Sequence, residues 1–505
     1  MTTLETARGK NGVVATGHAL ATDAALAMLR TGGNAADAAA TAALALAVVC
    51  PYAATLGGDL FAMVHDPRTG VVTGLNASGR SPRAASAERL TGTGPLSATV
   101  PAMLQGVADL LARHGSRDLA TALASAIALA EGGFPVHRQF ATATAERAAL
   151  LAKNEAARAL FLPGGQPLRE GAIFRQPDLA RILREIAASG VAEFYRGAMA
   201  RRLAAASNAA GGNFAEADLA AHSSLWQEPI AASFYGHEIL TMPPNSFGAT
   251  LLLQLRALEA EGIKSTDTAS VDFILKGYAA RRTAYRQVGP LIADPSLTED
   301  AVRRLVASAA SPRAPLPPES RDRCTTCAVV IDRDGMAVSL IESISAPYGS
   351  GVVLEGTGIL LNNRMGGFDA DPASANGVAP EKRPANTLAP SLVRKDGRLV
   401  MSIGTPGTVG QTCTLAQVLA RMLACGEDPA DAAAMPRWSV DFAGKLIVED
   451  TMDAALRASL AVRHSEARTV EAGWNSFGSI KLAAVSGDGL IGVADHRRAA
   501  TARAW

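Results

Sequence analysis

Between Val306 and Arg323 the chain loses any hydrophobic period, and four prolines fall between Pro312 and Pro318. Immediately afterwards, Cys327 to Ile331 and Met336 to Ile344 alternate as two β-strands around the turn Asp332-Arg333-Asp334-Gly335. A proline-rich segment of this composition predicts a mobile loop, so a tether is expected to run straight into a buried hairpin. Any fold for this chain has to place that junction.

The rest of the sequence supplies layers to cover the hairpin. In the N-terminal part, Thr22 to Arg30 has helical spacing, Gly32-Gly33-Asn34 makes a turn, and Asn34 caps a second helix through about Val49. Leu60 to His65 and Val71 to Leu75 read as a hairpin. Helices are predicted at Asp118 to Gly132, Ala141 to Ala152, Asp178 to Ser189, Thr250 to Glu261 and Leu415 to Cys425. Strand alternation runs through Ile230 to Met242, and short strands follow at Leu392, Val400, Leu446, Ile480 and Leu490. With no internal repeat, this is a mixed α/β chain compatible with two sheets between helical layers. At 505 residues, 48% hydrophobic and 19% charged, it can bury one large core.

Composition also limits the partners. A formal net charge of +1 without a Lys/Arg-rich run gives no footprint for nucleic acid or a membrane surface, and a small molecule is expected instead. Residues 1–12 contain no apolar signal core, and the Ala-rich stretch from Ala35 to Ala54 contains Asp37 and Thr41, so a cytoplasmic protein is expected. Five cysteines fit reduced thiols. The lone Cys324-x-x-Cys327 lacks a second ligand pair, and the eight histidines include no His-x-x-x-His, so neither metal nor cofactor is expected. No Gly-x-Ser-x-Gly elbow is present.

Thr325 has two readings. A Thr-Thr pair opening a strand can reflect β-propensity alone. A hydroxyl at that position, after a flexible segment, is also what a nucleophile released by chain cleavage requires. Attack by its Oγ on the Cys324 carbonyl, then hydrolysis, would leave an α-amine beside its own hydroxyl as a built-in base.

The wider motifs favour the second reading. Thr325-Thr326, Val329 to Gly335, Tyr348-Gly349-Ser350-Gly351 and Gly358 to Met365 closely resemble the start of the gamma-glutamyltranspeptidase small subunit. Similarity to that family continues through Gly32 to Ala38, Gly57-Gly58-Asp59-Leu60-Phe61, Phe194 to Gly197, Met242-Pro243-Pro244, Lys382-Arg383-Pro384, Gly404 to Gly407, Pro436-Arg437-Trp438 and Ala494 to Arg497. The resemblance implies an αββα sandwich of the N-terminal-nucleophile hydrolases, with autocleavage between Cys324 and Thr325. It implies a heterodimer of residues 1–324 and 325–505, with a dimer of heterodimers open. Ser343 matches the hydroxyl that assists the nucleophile, and Gly407 and Thr408 match the oxyanion-hole pair, where backbone donors survive a change of side chain.

The pattern departs from the family where the substrate's amino acid head would bind. The carboxylate-binding arginine aligns with Ser78, the ammonium-binding aspartate with Gly367, the Ser-Ser pair with Asn386-Thr387, and the asparagine after the assisting hydroxyl with Ser345. Arg80 lies two positions from the lost arginine, and Arg364 stands close to the lost acid. A pocket that loses an acid and gains a base suits an anionic substrate without an amine. The expected activity is hydrolysis of a small carboxylate-bearing amide, with oxamate as the named candidate and Arg80, Ser345, Arg364, Asn386 and Thr387 as binding residues. Arg364 is equally open to a structural ion pair. Two alternatives stand: gamma-glutamyl hydrolysis or transfer on glutathione-like substrates, and an uncleaved relative that only binds a metabolite.

Overall fold

A computed structural model describes residues 4–263, 267–308, 324–473, 475–487 and 489–505. The proline-rich tether therefore lies almost wholly outside the described residues. Its first two positions, Val306 and Ala307, close a helix over Pro295–Ala307.

Two antiparallel sheets of seven strands form the centre. In chain order their strands are β1 (Glu5–Gly9), β2 (Gly12–Thr16), β3 (Asp59–His65), β4 (Val72–Ala77), β5 (Leu225–Gln227), β6 (Ile230–Phe234), β7 (His237–Thr241), β8 (Cys324–Asp332), β9 (Ala337–Ser345), β10 (Ser391–Lys395), β11 (Arg398–Gly404), β12 (Lys481–Ser486), β13 (Gly489–Ala494) and β14 (Thr501–Ala504). One sheet runs β14-β2-β8-β9-β3-β4-β5 and the other β1-β13-β12-β11-β10-β7-β6. The predicted hairpin, β8 and β9, thus occupies the middle of the first sheet.

Strand alternation assigns the layers. Along β8, Ala328 and Val330 enter a core shared with the helices α1 (Ala19–Arg30) and α2 (Ala35–Val49), whereas Cys327, Val329 and Ile331 enter a core between the two sheets. The outer face of the second sheet carries Ile239, Val393, Ile403, Leu482 and Val493 against the helices α3 (Gly248–Ala260) and α4 (Val271–Val288). This is the expected four-layer αββα sandwich. Polar side chains tie its sheets together: Ser339 Oγ on β9 donates to the Ile403 carbonyl on β11, and Ser402 Oγ on β11 donates to the Val338 carbonyl, both at 2.8 Å.

Helix α2 is buried on every side, as an Ala-rich helix without a polar face must be. Its start is closed by a capping box in which Asn34 accepts from the Ala36 and Asp37 amides and Asp37 accepts from the Asn34 amide. Two expectations change in detail. The single run from Ile230 to Met242 is two strands, because Tyr235 and Gly236 adopt φ of 45° and 74° and turn the chain back on itself. The helix expected over Ala141 to Ala152 is Arg138–Glu146 and Ala148–Leu151, interrupted at Arg147. Among the described residues, no helix is long and apolar enough to cross a membrane.

Two motifs far apart in sequence meet in one buried network. Asp495 accepts from Arg437 at 2.6 Å and Arg497 at 3.1 Å, and Arg497 also reaches Glu449 at 2.5 Å. Burial alone would raise the Asp495 carboxyl, but Arg437 and Arg497 hold it well below the usual carboxylate range. Its stabilisation is therefore present above the unfolded carboxylate value near 3.9 and is lost on acidification. Asp495→Asn leaves the buried Arg437 guanidinium without its carboxylate while Arg497 keeps Glu449, and it is expected to lower unfolding free energy at pH 7 by about 3 kcal/mol in chemical denaturation.

Candidate active site

Thr325 lies inside β8, where the register with β9 shifts: Cys324 pairs with Ser345 and Thr326 with Glu342, leaving Thr325 at a bulge. Bulges re-aim side chains, and here the Thr325 hydroxyl meets Ser343. Thr325 Oγ1 donates to Ser343 Oγ at 3.3 Å, and Ser343 Oγ in turn donates to the Cys324 carbonyl at 2.7 Å. The Ser345 amide donates to Ser343 Oγ at 2.9 Å, and Arg498 Nη1 donates to the Thr325 carbonyl at 3.2 Å. Ser343 is thus the centre of a relay joining the Thr325 hydroxyl to the carbonyl on its N-terminal side. Ser345 holds φ of 78°, a left-handed conformation that is uncommon outside glycine.

Ser343 pairs across the sheet with Asp59 of β3. Nothing in the Gly57-Gly58-Asp59 motif signals a role for Asp59, yet its carboxylate organises the neighbourhood. It accepts from the Gly79 amide at 2.8 Å and from Asn386 Nδ2 at 3.1 Å, and Arg364 Nε lies 2.8 Å from its Oδ2. Both charged groups are fully buried. Burial pushes Asp59 up and Arg364 down, each opposed by the charge of the other. Arg364 therefore does form the ion pair open to it, but only along one edge. Its Nη1 and Nη2 are buried and have no hydrogen-bond partner among the described residues.

The segment after β11 turns sharply at Gly407, whose φ of 139° suits glycine, and Thr408 follows with φ of 56°. Thr408–Gly410 forms a 3₁₀ turn continuous with the helix α5 (Gln411–Leu419). Gly407 and Thr408 therefore stand at a helical start, where backbone N–H groups lack intrahelical partners. The Gln411 amide nitrogen, in the orientation that satisfies both partners, donates to the carbonyls of Thr405 and Thr387 at 3.1 Å each. That bond joins the loop to Asn386-Thr387 and hence to Asp59.

Of the residues singled out from sequence, Thr325, Ser343, Ser345, Arg364 and Asn386 are linked through β8, β9 and Asp59, and Thr387 through Gln411. Arg80 is set apart. It lines a cavity of about 10 Å³ with Val100, Asp218, His222 and Glu381, room for about one water. Among the described residues, no cluster of three or more His, Cys, Asp or Glu side chains is disposed to hold a metal ion.

The sequence profile of the family described as Gamma-glutamyltranspeptidase matches residues 21–505. The chain belongs to the gamma-glutamyltranspeptidase family. This family member is 33% identical over 456 residues to the oxamate amidohydrolase proenzyme of Klebsiella pneumoniae, with 85% of each chain covered. It is 32% identical over 446 residues to the glutathione hydrolase-like YwrD proenzyme of Bacillus subtilis, again with 85% of each covered. Among solved structures, a cephalosporin acylase from Bacillus halodurans matches with a TM-score of 0.90 at 29% identity, covering 99% of this chain and 97% of that one. As a gamma-glutamyltranspeptidase-family protein with this fold, the chain is an enzyme of hydrolase type.

The Asp59–Arg364 contact generates a stability prediction. Arg364→Met leaves a buried carboxylate without its cation and is expected to cost about 3–5 kcal/mol in denaturant unfolding. Adding Asp59→Asn should recover part of that loss, giving a coupling well above the 0.3–0.5 kcal/mol scatter of independent sites.

Proposed function

We propose that this enzyme cleaves itself between Cys324 and Thr325 and then hydrolyses a small carboxylate-bearing amide, with an oxamate-like compound as the substrate class. The observation that carries this reading is the Thr325–Ser343–Cys324 relay. Ser343 polarises the Cys324 carbonyl while accepting from the hydroxyl that would attack it. Thr325 Oγ bonds to the Cys324 carbonyl carbon, the Cys324–Thr325 C–N bond breaks, and the nitrogen takes up the proton. Water then hydrolyses the ester, giving fragments 1–324 and 325–505 that remain one intertwined globule.

In the processed enzyme the new α-amine takes the proton from Thr325 Oγ, which attacks the substrate amide carbon. The backbone N–H groups of Gly407 and Thr408 stabilise the oxyanion. The leaving nitrogen departs protonated, and water hydrolyses the acyl-enzyme. Ser343 keeps the hydroxyl oriented throughout, and Ser345 shapes the turn beside it.

On the substrate side, the unpartnered Nη1 and Nη2 of Arg364 offer the two-pronged donor that a carboxylate takes. Asn386, held by Asp59, and Thr387 supply further polar contacts. The oxamate amidohydrolase relative supports this substrate class, and the glutathione hydrolase-like relative supports the gamma-glutamyl alternative. Asp59 bears on the choice: its charge already faces Arg364, whereas an α-ammonium would need an acid of its own.

Thr325→Ala is expected to yield one uncut chain and to lower turnover by on the order of 10⁴-fold or more; a processed, active alanine variant contradicts the assignment. Arg364→Lys keeps a cation for Asp59 but loses the planar fork. It should raise KM for a carboxylate amide about tenfold with little change in kcat. Side-by-side assay of oxamate and a gamma-glutamyl anilide should favour oxamate by about 100-fold or more in kcat/KM, and the reverse ratio supports the glutathione-like reading.

A further inference from the structure

His222 follows the short helix Glu216–Ala220 and is only 4% exposed, yet neither ring nitrogen has a hydrogen-bond partner among the described residues. Its ring stacks on Tyr195 with centroids 5.4 Å apart, and the Tyr195 hydroxyl donates to the Pro101 carbonyl at 3.1 Å. The plane of the imidazole is therefore set by a ring that is itself fixed. A neutral imidazole carries one N–H, and leaving such a donor buried and unmade is costly.

The ring borders the small cavity that Arg80 also lines. Arg80 Nε is buried and likewise without a partner, and no carboxylate among the described residues lies within ion-pair distance of this guanidinium. Arg383 stands behind the imidazole, donating from Nη2 to the Ser223 carbonyl at 2.7 Å and from Nε to the Ser78 carbonyl at 3.1 Å. It too forms no ion pair among the described residues. Two guanidinium groups thus act on one imidazole. Burial, Arg383 and Arg80 lower His222 to about 3, and burial and Arg80 lower Arg383 to about 10.

The acids nearby are engaged elsewhere. Asp218 borders the cavity, but its Oδ1 accepts from the Arg83 amide at 3.0 Å and its Oδ2 from the Ala215 amide at 2.8 Å. Glu381, at the rim, accepts from Arg83 Nε at 3.0 Å. Asp294 accepts from the backbone amide of Arg383 at 2.7 Å and from Ser296. What faces the cavity is a set of N–H donors that no acceptor among the described residues meets. Donors converging on a space for about one water, beside two guanidinium groups, are the arrangement that a small anion requires.

We propose that this cavity is a binding site for a single-atom anion of the chloride type, held by Arg80 and the His222 N–H with Arg383 behind them. A space of about 10 Å³ excludes phosphate, sulfate and organic carboxylates. None of these residues takes part in the Thr325–Ser343 relay, and the site does not depend on chain cleavage. Its effect follows from what it joins. Arg80 follows Gly79, whose amide serves Asp59, and Arg383 leads into Asn386, another Asp59 partner. The anion clips these two segments to the chain at His222, behind the groups gathered by Asp59.

The test uses the protein as purified, whether one chain or two fragments. Crystals soaked in sodium bromide and measured at the bromine absorption edge are expected to show an anomalous peak between Arg80 Nε and the His222 ring. Density there without anomalous signal is a water and overturns the proposal. In solution, sodium chloride compared with sodium gluconate at equal ionic strength should raise Tm saturably by about 2 °C or more. A bromide peak without any chloride effect on Tm marks an adventitious ion only and also overturns it. Arg80→Gln should lose the chloride increment whatever its own Tm in gluconate; an increment as large as that of wild type contradicts the site.

Discussion

The bulge at Cys324–Thr326 is the feature on which the site depends. In an unbroken ladder, every side chain of a central strand would point alternately to the α2 layer and to the second sheet, and each would be locked there by packing on both sides. The register shift sets two residues of β9, Ser343 and Ile344, opposite Thr325, and so brings the Ser343 hydroxyl within reach of the Thr325 hydroxyl. Because β9 also pairs with β3, the same stretch of β9 sets Ser343 beside Asp59. One irregularity in one strand pair thus brings the Thr325 hydroxyl, the Cys324 carbonyl and the Asp59 carboxylate into a single neighbourhood.

That neighbourhood is held by long-range contacts. Asp59 gathers Gly79, Arg364 and Asn386, and Gln411 joins the segment at Thr387 to the loop at Thr405. Segments before and after the Cys324–Thr325 bond all contribute, so a cut there would leave two pieces that share all three cores and both sheets. The buried network of Arg437, Asp495, Arg497 and Glu449 adds a second anchor at the far end of β13.

The layers were legible because their signals are local. The hairpin of β8 and β9, the capped α2 and most of the longer helices follow from periodicity, turn residues and caps, and the family motifs supplied the order of the sandwich. Local pattern did not separate β6 from β7, since the turn at Tyr235-Gly236 interrupts no hydrophobic alternation. Nor could it foresee what only folding brings together. Asp59 and Arg364 are remote in sequence, and whether Arg364 faces an acid or a substrate depends on both edges of one guanidinium. Lys481 reads as an ordinary strand residue until the first sheet covers it, and Arg80, expected among the binding residues, lines a small cavity with Asp218, His222 and Glu381.

The central claim is that the Cys324–Thr325 bond is the one this fold is built to break. Intact mass and N-terminal sequencing of freshly purified protein test it most directly. Two fragments, the second beginning Thr-Thr-Cys, are the predicted result; a single stable chain of 505 residues would contradict it.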